Sequence, residues 1–234
     1  MILPPIIALC GFPQAGKTTV QKILADLYDV VPLDDGLPLR EIAVQYLGLT
    51  HEQVTTQEGK AKTVDLNGTP WIVRDVLGQI GNALEEKFGG DVIPLMAVNR
   101  FGLDDPAGPN RHQSVSFASV RRQQGWFWRK RGALVIEVRR PGAGMGAEFN
   151  RYDAHAARYT LDNSGSEADL AEDVTRLVSW ATMGLPMDGG VFEWVESGWA
   201  GGRFYERAGR VTKWPDTQAV LKEVIYAAQE KEGR

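Results

Sequence analysis

Along the chain, short unbroken apolar runs alternate with stretches in which apolar positions recur every three to four residues. That alternation predicts the elements. Ile6-Ile7-Ala8-Leu9-Cys10 is a run of strand length, and Val20, Ile23, Leu24 and Leu27 have the spacing of a helix from about Thr18 to Tyr28. Val30-Val31-Pro32-Leu33 reads as a second strand, ended by Asp34-Asp35-Gly36. Leu37 to Leu47 reads as a helix, Leu49 to Glu52 as another helix start, and Thr55 to Lys60 as a polar loop. A helix opens at Trp71, carries Val73, Val76, Leu77, Ile80 and Leu84 on one face, and stops after Phe88 at Gly89-Gly90. Gly78 and Gly81 inside it predict a close approach of another backbone or of a ligand. Asp91 to Val98 fits a helix or a strand, because Pro94 suits the interior of neither.

Further on, Asp104 to Asn110 is a loop, while Ser114 to Ala118, Ala133 to Val138 and His155 to Asn163 read as strands. Ser166 and Asp169 form an N-cap pair for a helix from Leu170 to Trp180. After Gly184 the texture changes: the aromatics between Phe192 and Trp214 suit a β-hairpin or an irregular layer, followed by a helix from Thr217 to about Gln229. Runs and helices in this order predict an α/β protein with a central, mostly parallel sheet in residues 1–183. Residues 184–234 form a small aromatic-rich extension packed on the same domain.

At 234 residues, 43% hydrophobic and 24% charged, the chain has enough apolar material for one substantial core. No apolar run approaches the ~20 residues needed to span a bilayer, so no membrane partner is expected. The Met-Ile-Leu-Pro-Pro start lacks a basic region, which argues against a signal peptide and for a cytoplasmic location. The single Cys10 permits no internal disulfide. A net charge of −4 gives no global preference for nucleic acid, so any such surface is local.

Between the first strand and the first helix stands Gly11-Phe12-Pro13-Gln14-Ala15-Gly16-Lys17-Thr18, the pattern G-x-x-x-x-G-K-[ST] in strand-to-helix context. Gly11, Gln14, Ala15 and Gly16 would curl backbone N–H groups around phosphate oxygens at the positive end of the helix. Lys17 would reach the terminal phosphates, and Thr18, with Thr19 beside it, would offer a hydroxyl to Mg²⁺. The ligands implied are ATP and Mg²⁺.

In doubly wound sheets ligands gather beyond the carboxyl ends of the strands. Asp34 and Asp35 fall there, as a base for an acceptor and, with Asp35, as a second metal-side group; the alternative is that one of them caps the next helix. Arg40, Arg74 and Arg121 are candidate cations for acceptor phosphates, with a structural salt bridge as the alternative for Arg74. Lys60 and Lys62 either meet phosphate or belong to a solvated loop. Arg139 and Arg140 follow a strand, as lid cations or as a solvated turn. The position where a metal-ordering Asp is usual offers Ser119. The segment Arg121 to Arg131 interleaves cations with Trp126, Phe127 and Trp128. It suits an unpaired nucleic acid, with Trp126 and Trp128 as base platforms, or an amphipathic helix that buries Phe127 and one Trp.

Several of these pieces, in order, resemble the bacteriophage deoxynucleoside monophosphate kinases of the thymidylate-kinase-like group. They are Gly11 to Thr18, Arg74 to Gly81, Ser116 to Arg121, Val135 to Pro141, and Tyr159 to Leu170. The resemblance implies a three-layer P-loop kinase fold. The family usually carries an Asp before the arginine matched by Arg121 and a Glu soon after it; here Ser119 and Gln123-Gln124-Gly125 stand in that region. It also tends to have an Asp after the loop lysine, where this chain has Thr18-Thr19. Relatives of these kinases phosphorylate the hydroxymethyl group of 5-hydroxymethyluracil in phage DNA. An alcohol acceptor needs a positioned carboxylate, and Asp34-Asp35 could supply it. The sequence thus favours that DNA kinase, with a deoxynucleoside monophosphate kinase as the first rival and a nucleotide-gated DNA-binding protein as the second. A homodimer is left open.

Overall fold

The computed structural model describes residues 3–110, 112–146, 150–182, 187–188, 191–200 and 203–211. The first strand, β1 (Ile6–Cys10), is buried from Ile7 onward, which explains its unbroken apolar run. In α1 (Lys17–Tyr28) the residues Val20, Ile23 and Leu24 form the buried stripe. β2 (Val31–Leu33) leads to α2 (Leu37–Leu47), with Pro38 in the first turn, where a missing N–H costs no helical bond.

A capping box at Thr50 and Gln53 starts α3 (His51–Thr55). The stretch expected to be a polar loop is mostly helical instead, as α4 (Gln57–Ala61). Thr56 Oγ1 accepts from the Gly59 N–H at 2.8 Å, and a side chain on Gly59 would collide with the Glu52 carbonyl of α3. Next comes a hairpin that the helical reading of Trp71 and Ile72 did not anticipate, β3 (Thr63–Leu66) with β4 (Thr69–Ile72). Its turn is Asn67-Gly68, with φ of 57° and 77°, the two positive values that a tight hairpin needs.

The long amphipathic helix α5 (Val73–Phe88) therefore begins two residues later than its pattern suggests. A Cβ on its Gly81 would lie 3.4 Å from Leu39 Cδ1 of α2, an ordinary side-chain contact in place of the backbone or ligand approach expected there. The ambiguity at Asp91 to Val98 resolves as α6 (Val92–Phe101), because Pro94 lies in the first turn, where an N–H has no helical acceptor. After it come β5 (Val115–Val120), α7 (Gln124–Lys130), β6 (Leu134–Arg139), a 3₁₀ turn at Ala154–Ala156, β7 (Tyr159–Asp162) and α8 (Glu167–Thr182). Ser166 and Asp169 cap α8 reciprocally, at 3.2 Å and 2.8 Å.

The sheet runs β2-β5-β1-β6-β7 and every pairing in it is parallel. Between β1 and β5 the register slips at Leu9, which faces two residues, Ala118 and Ser119. Behind this part of the sheet Trp128, fully buried, stacks on Phe117 with ring centres 4.6 Å apart, and Phe127 meets it edge-on at 5.1 Å.

The chain divides into two compact units. Pro4–Leu170 holds the parallel sheet; the other includes Ala171 onward, so the division falls inside α8. The second contains an antiparallel layer in the order β10-β9-β8, formed by β8 (Met187–Asp188), β9 (Val191–Ala200) and β10 (Arg203–Val211). The helix expected from Thr217 lies outside the described residues. Among the described residues no helix is long and apolar enough to cross a membrane.

Candidate active site

At the carboxyl end of the central strand the chain turns through Gly11, Gln14 and Gly16, with φ of 140°, 64° and 100°. Gly11 must be glycine: a Cβ there would collide with the Val138 carbonyl of β6. Gly16 is the N-cap of α1, and no side chain caps the helix start. The first N–H groups of a 12-residue helix therefore face outward with the positive end of its dipole. The loop folds back on itself through the Ala15 N–H, which donates to the Phe12 carbonyl at 3.2 Å. Tyr152 packs edge-on against Phe12 at 5.1 Å and donates its hydroxyl to buried Glu137 of β6 at 2.7 Å.

Lys17 lies over the loop and donates to the carbonyls of Gly11 and Phe12, at 2.7 Å and 2.8 Å. Burial, and then the charge of Arg121, lower its pKa to about 8. Thr18 is exposed, next to Thr19, in the first turn of α1.

The two aspartates after β2 have separate fates. Asp34 ion-pairs with Arg40 and accepts from the Gly36 N–H at 2.9 Å, so it fixes the entry to α2. It accepts from the N–H of the N-cap residue itself, so no side chain caps α2, and its carboxylate is engaged by Arg40. Asp35 is 2% exposed, and neither of its carboxylate oxygens has a hydrogen-bond partner of normal geometry among the described residues. Burial pushes its pKa up to about 6, against the opposing pull of Arg121 and nearby Ser119. Orphaned buried carboxylate oxygens call for a ligand. With the exposed Thr18 hydroxyl they fit a Mg²⁺ ion held mainly by nucleotide oxygens and water.

Four cations from four elements, Arg40, Lys60, Arg74 and Arg121, are coupled electrostatically, and Arg121 also acts on Asp35. Arg121 at the end of β5 lowers the pKa of Lys17, Arg40 and Lys60; Arg40 and Arg74 lower that of Lys60; and Arg74 lowers that of Arg121. Lys60 is half-buried and, chiefly through burial, brought down to about 8. Its Nζ donates to the Thr55 carbonyl at 3.1 Å, and Arg74 donates to neutral Gln57 at 2.9 Å. Arg40 and Arg74 are thus each coupled to Arg121. Lys60 joins them because its segment is helical.

Arg139 and Arg140 are exposed at the end of β6, with Arg139 drawn to Glu137 at 2.9 Å. The aromatic platform is not formed. Trp128 belongs to the core. Trp126 is half-buried, gives its indole N–H to Asp153 at 2.8 Å, and has Arg129 over its ring at 5.2 Å. An amphipathic helix burying Phe127 and one Trp is what α7 provides. A residue not singled out from sequence, Asn163, donates from Nδ2 to the Ala15 carbonyl at 2.9 Å. Only its place after the last strand of the sheet could have drawn attention to it.

A parallel sheet in this order, with a glycine loop and lysine between its central strand and α1, defines an α/β fold of the phosphate-loop type. No family model and no curated protein sequence matches the chain. In structure it is similar to dephospho-CoA kinase from Campylobacter jejuni, at 12% identity over 76% of this chain and 97% of that one, TM-score 0.41. It is also similar to TT1252 from Thermus thermophilus, at 17% identity over 76% and 98%, TM-score 0.43. A third likeness is to shikimate kinase from Aquifex aeolicus vf5, at 13% identity over 76% and 99%, TM-score 0.39. These likenesses are distant, and the fold assignment stands on the sheet order and the loop.

Proposed function

We propose that the chain is an ATP- and Mg²⁺-dependent kinase whose acceptor carries a phosphate monoester, with deoxynucleoside monophosphates as the class that fits best. The cation cluster carries this reading. Arg40, Lys60, Arg74 and Arg121 are coupled to one another, with Asp34 paired to Arg40 and Asp35 and Glu85 acting on Arg121, so positive charge is concentrated in a partly buried place. Mutual repulsion of that kind is relieved by an anion. A terminal phosphate near neutral pH is close to a dianion, whereas a phosphodiester in DNA offers a single charge.

In the reaction an acceptor oxygen forms a bond to the γ-phosphorus as the bond from that phosphorus to the β–γ bridging oxygen breaks. Lys17 and the loop N–H groups would hold the donor phosphates, and Thr18 and Asp35 the metal side. Arg139 and Arg140 would neutralise charge from above, Arg139 after leaving Glu137. Mg²⁺, when bound, would spread the charge of the donor phosphates.

A second reading is favoured by Asp35. Its buried carboxylate, with a pKa of about 6, suits a base for an alcohol, and a phosphate acceptor needs none. The alcohol would be the hydroxymethyl group of 5-hydroxymethyluracil in DNA. The experiment uses γ-labelled ATP with deoxynucleoside monophosphates, the matching nucleosides, and DNA containing 5-hydroxymethyluracil. Label on the monophosphates and none on the nucleosides is expected. Label on DNA alone would replace the first reading by the second. ATP-dependent DNA binding without any label transfer would replace both.

A further inference from the structure

We infer that Asn163 is a positioning residue that sets the direction of the Ala15–Gly16 peptide and so makes the phosphate loop competent to hold an anion. The inference rests on the loop taking phosphate, and it is independent of which acceptor is used.

Asn163 is the residue directly after β7, two strands away from β1 across β6. Its own N–H donates to the Arg139 carbonyl at 2.7 Å, which extends the β6–β7 pairing by one step and fixes its backbone. The side chain is 8% exposed. Its amide lies against the carbonyl oxygen of Ala15 at 2.9 Å. A carbonyl only accepts, so the amide nitrogen must face it, and the contact has a defined direction.

The peptide unit supplies the rest. In a trans peptide the C=O and the following N–H point in opposite directions. Holding the Ala15 oxygen toward Asn163 therefore turns the Gly16 N–H the other way, away from β7. Gly16 matters for the same reason. It sits at φ 100°, and a Cβ would collide with Nδ2 of Asn163, so the amide occupies the space that the missing side chain leaves open. Without Asn163 the Ala15 carbonyl loses a buried partner and the peptide gains freedom to flip, which would aim an oxygen where a phosphate oxygen belongs. A loop able to flip holds anions less tightly, because only part of its population is competent.

The test uses the full chain, with Asn163→Asp and Asn163→Ala. Asn163→Asp keeps the shape and sets an acceptor against the Ala15 carbonyl; Asn163→Ala removes the group. Affinity is measured by calorimetry for ATP and for inorganic tripolyphosphate, at a temperature well below each variant's thermal midpoint. Both ligands should bind about 10-fold more weakly to Asn163→Ala, by the scale of one buried hydrogen bond lost, and weaker still to Asn163→Asp. If both variants bind tripolyphosphate as the parent does, the inference is wrong. It is equally wrong if ATP affinity drops while tripolyphosphate affinity holds, since Asn163 would then touch the nucleoside. A parent chain that binds neither ligand would sink the phosphate-loop reading itself and not this step alone.

Discussion

Lys17→Ala should lower the rate of phosphoryl transfer by about 10²–10³-fold, the usual consequence of removing one preorganised donor to developing charge. The reason lies in how the ammonium is held. It donates to two loop carbonyls, at 2.7 Å and 2.8 Å, and carbonyls release a cation more readily than a carboxylate does. Burial and the nearby Arg121 have already brought its pKa down to about 8. The charge is thus present at neutral pH but poorly compensated, so exchanging the carbonyls for phosphate oxygens relieves it. Two measurements check this. The variant should show a lower kcat and weaker ATP binding, and in the parent kcat/KM for ATP should decline above about pH 8 as free Lys17 loses its proton. Lys17→Arg is not expected to restore the rate, because a planar fork cannot take the place of a point charge. Near-normal turnover in Lys17→Ala would mean that the loop does not hold the transferred phosphoryl group.

How much of this was readable in the chain depends on whether the signal was local. The phosphate loop declares itself because the turn demands glycine at Gly11 and Gly16 and the chemistry demands Lys17, all within eight residues. The parallel strands are equally open, since burial on both faces leaves an unbroken apolar run such as Ile6 to Cys10. The β3–β4 hairpin carried its own mark, Asn67-Gly68, but the apolar spacing of the following helix extends smoothly back over Trp71 and Ile72. Period alone cannot fix the start of a helix.

The remaining gaps are long-range. Lys60 becomes a member of the cation cluster only when α4 packs on α3 through Gly59. Asn163 reaches Ala15 across 148 positions of sequence. The choice between Trp126 and Trp128 turns on which side of a seven-residue helix meets Phe117, too short a segment for its pattern to settle. Asp34 and Asp35 are neighbours of the same type. Only the position of Arg40 in the first turn of α2 gives Asp34 an ion-pair partner, while Asp35 is buried near Arg121 and Ser119.

That division between the aspartates makes Asp35→Asn the most informative substitution. Transfer should fall by about 10²-fold or more, whether the carboxylate acts as base or helps to hold the metal. Stability should move the other way. The pKa of Asp35 in the folded chain is about 6, against a reference of 3.8, because burial disfavours its charged form. Below pH 4 it is protonated in both states and costs nothing. Between pH 4 and pH 6 the folded chain keeps a proton that the unfolded chain has released, so stability falls as pH rises. Above pH 6 the penalty is complete, roughly 3 kcal/mol on the scale of 1.36 kcal/mol per pKa unit. Asparagine carries no charge to bury, so the variant should unfold at a higher temperature than the parent at pH 7. The two should converge near pH 4. Thermal midpoints taken across pH 4 to 8, beside the transfer rate, measure both effects. A variant that loses activity and also stability at pH 7 would show that Asp35 is a paired structural carboxylate. Higher stability with lost transfer is the signature of a charge kept buried for its chemistry.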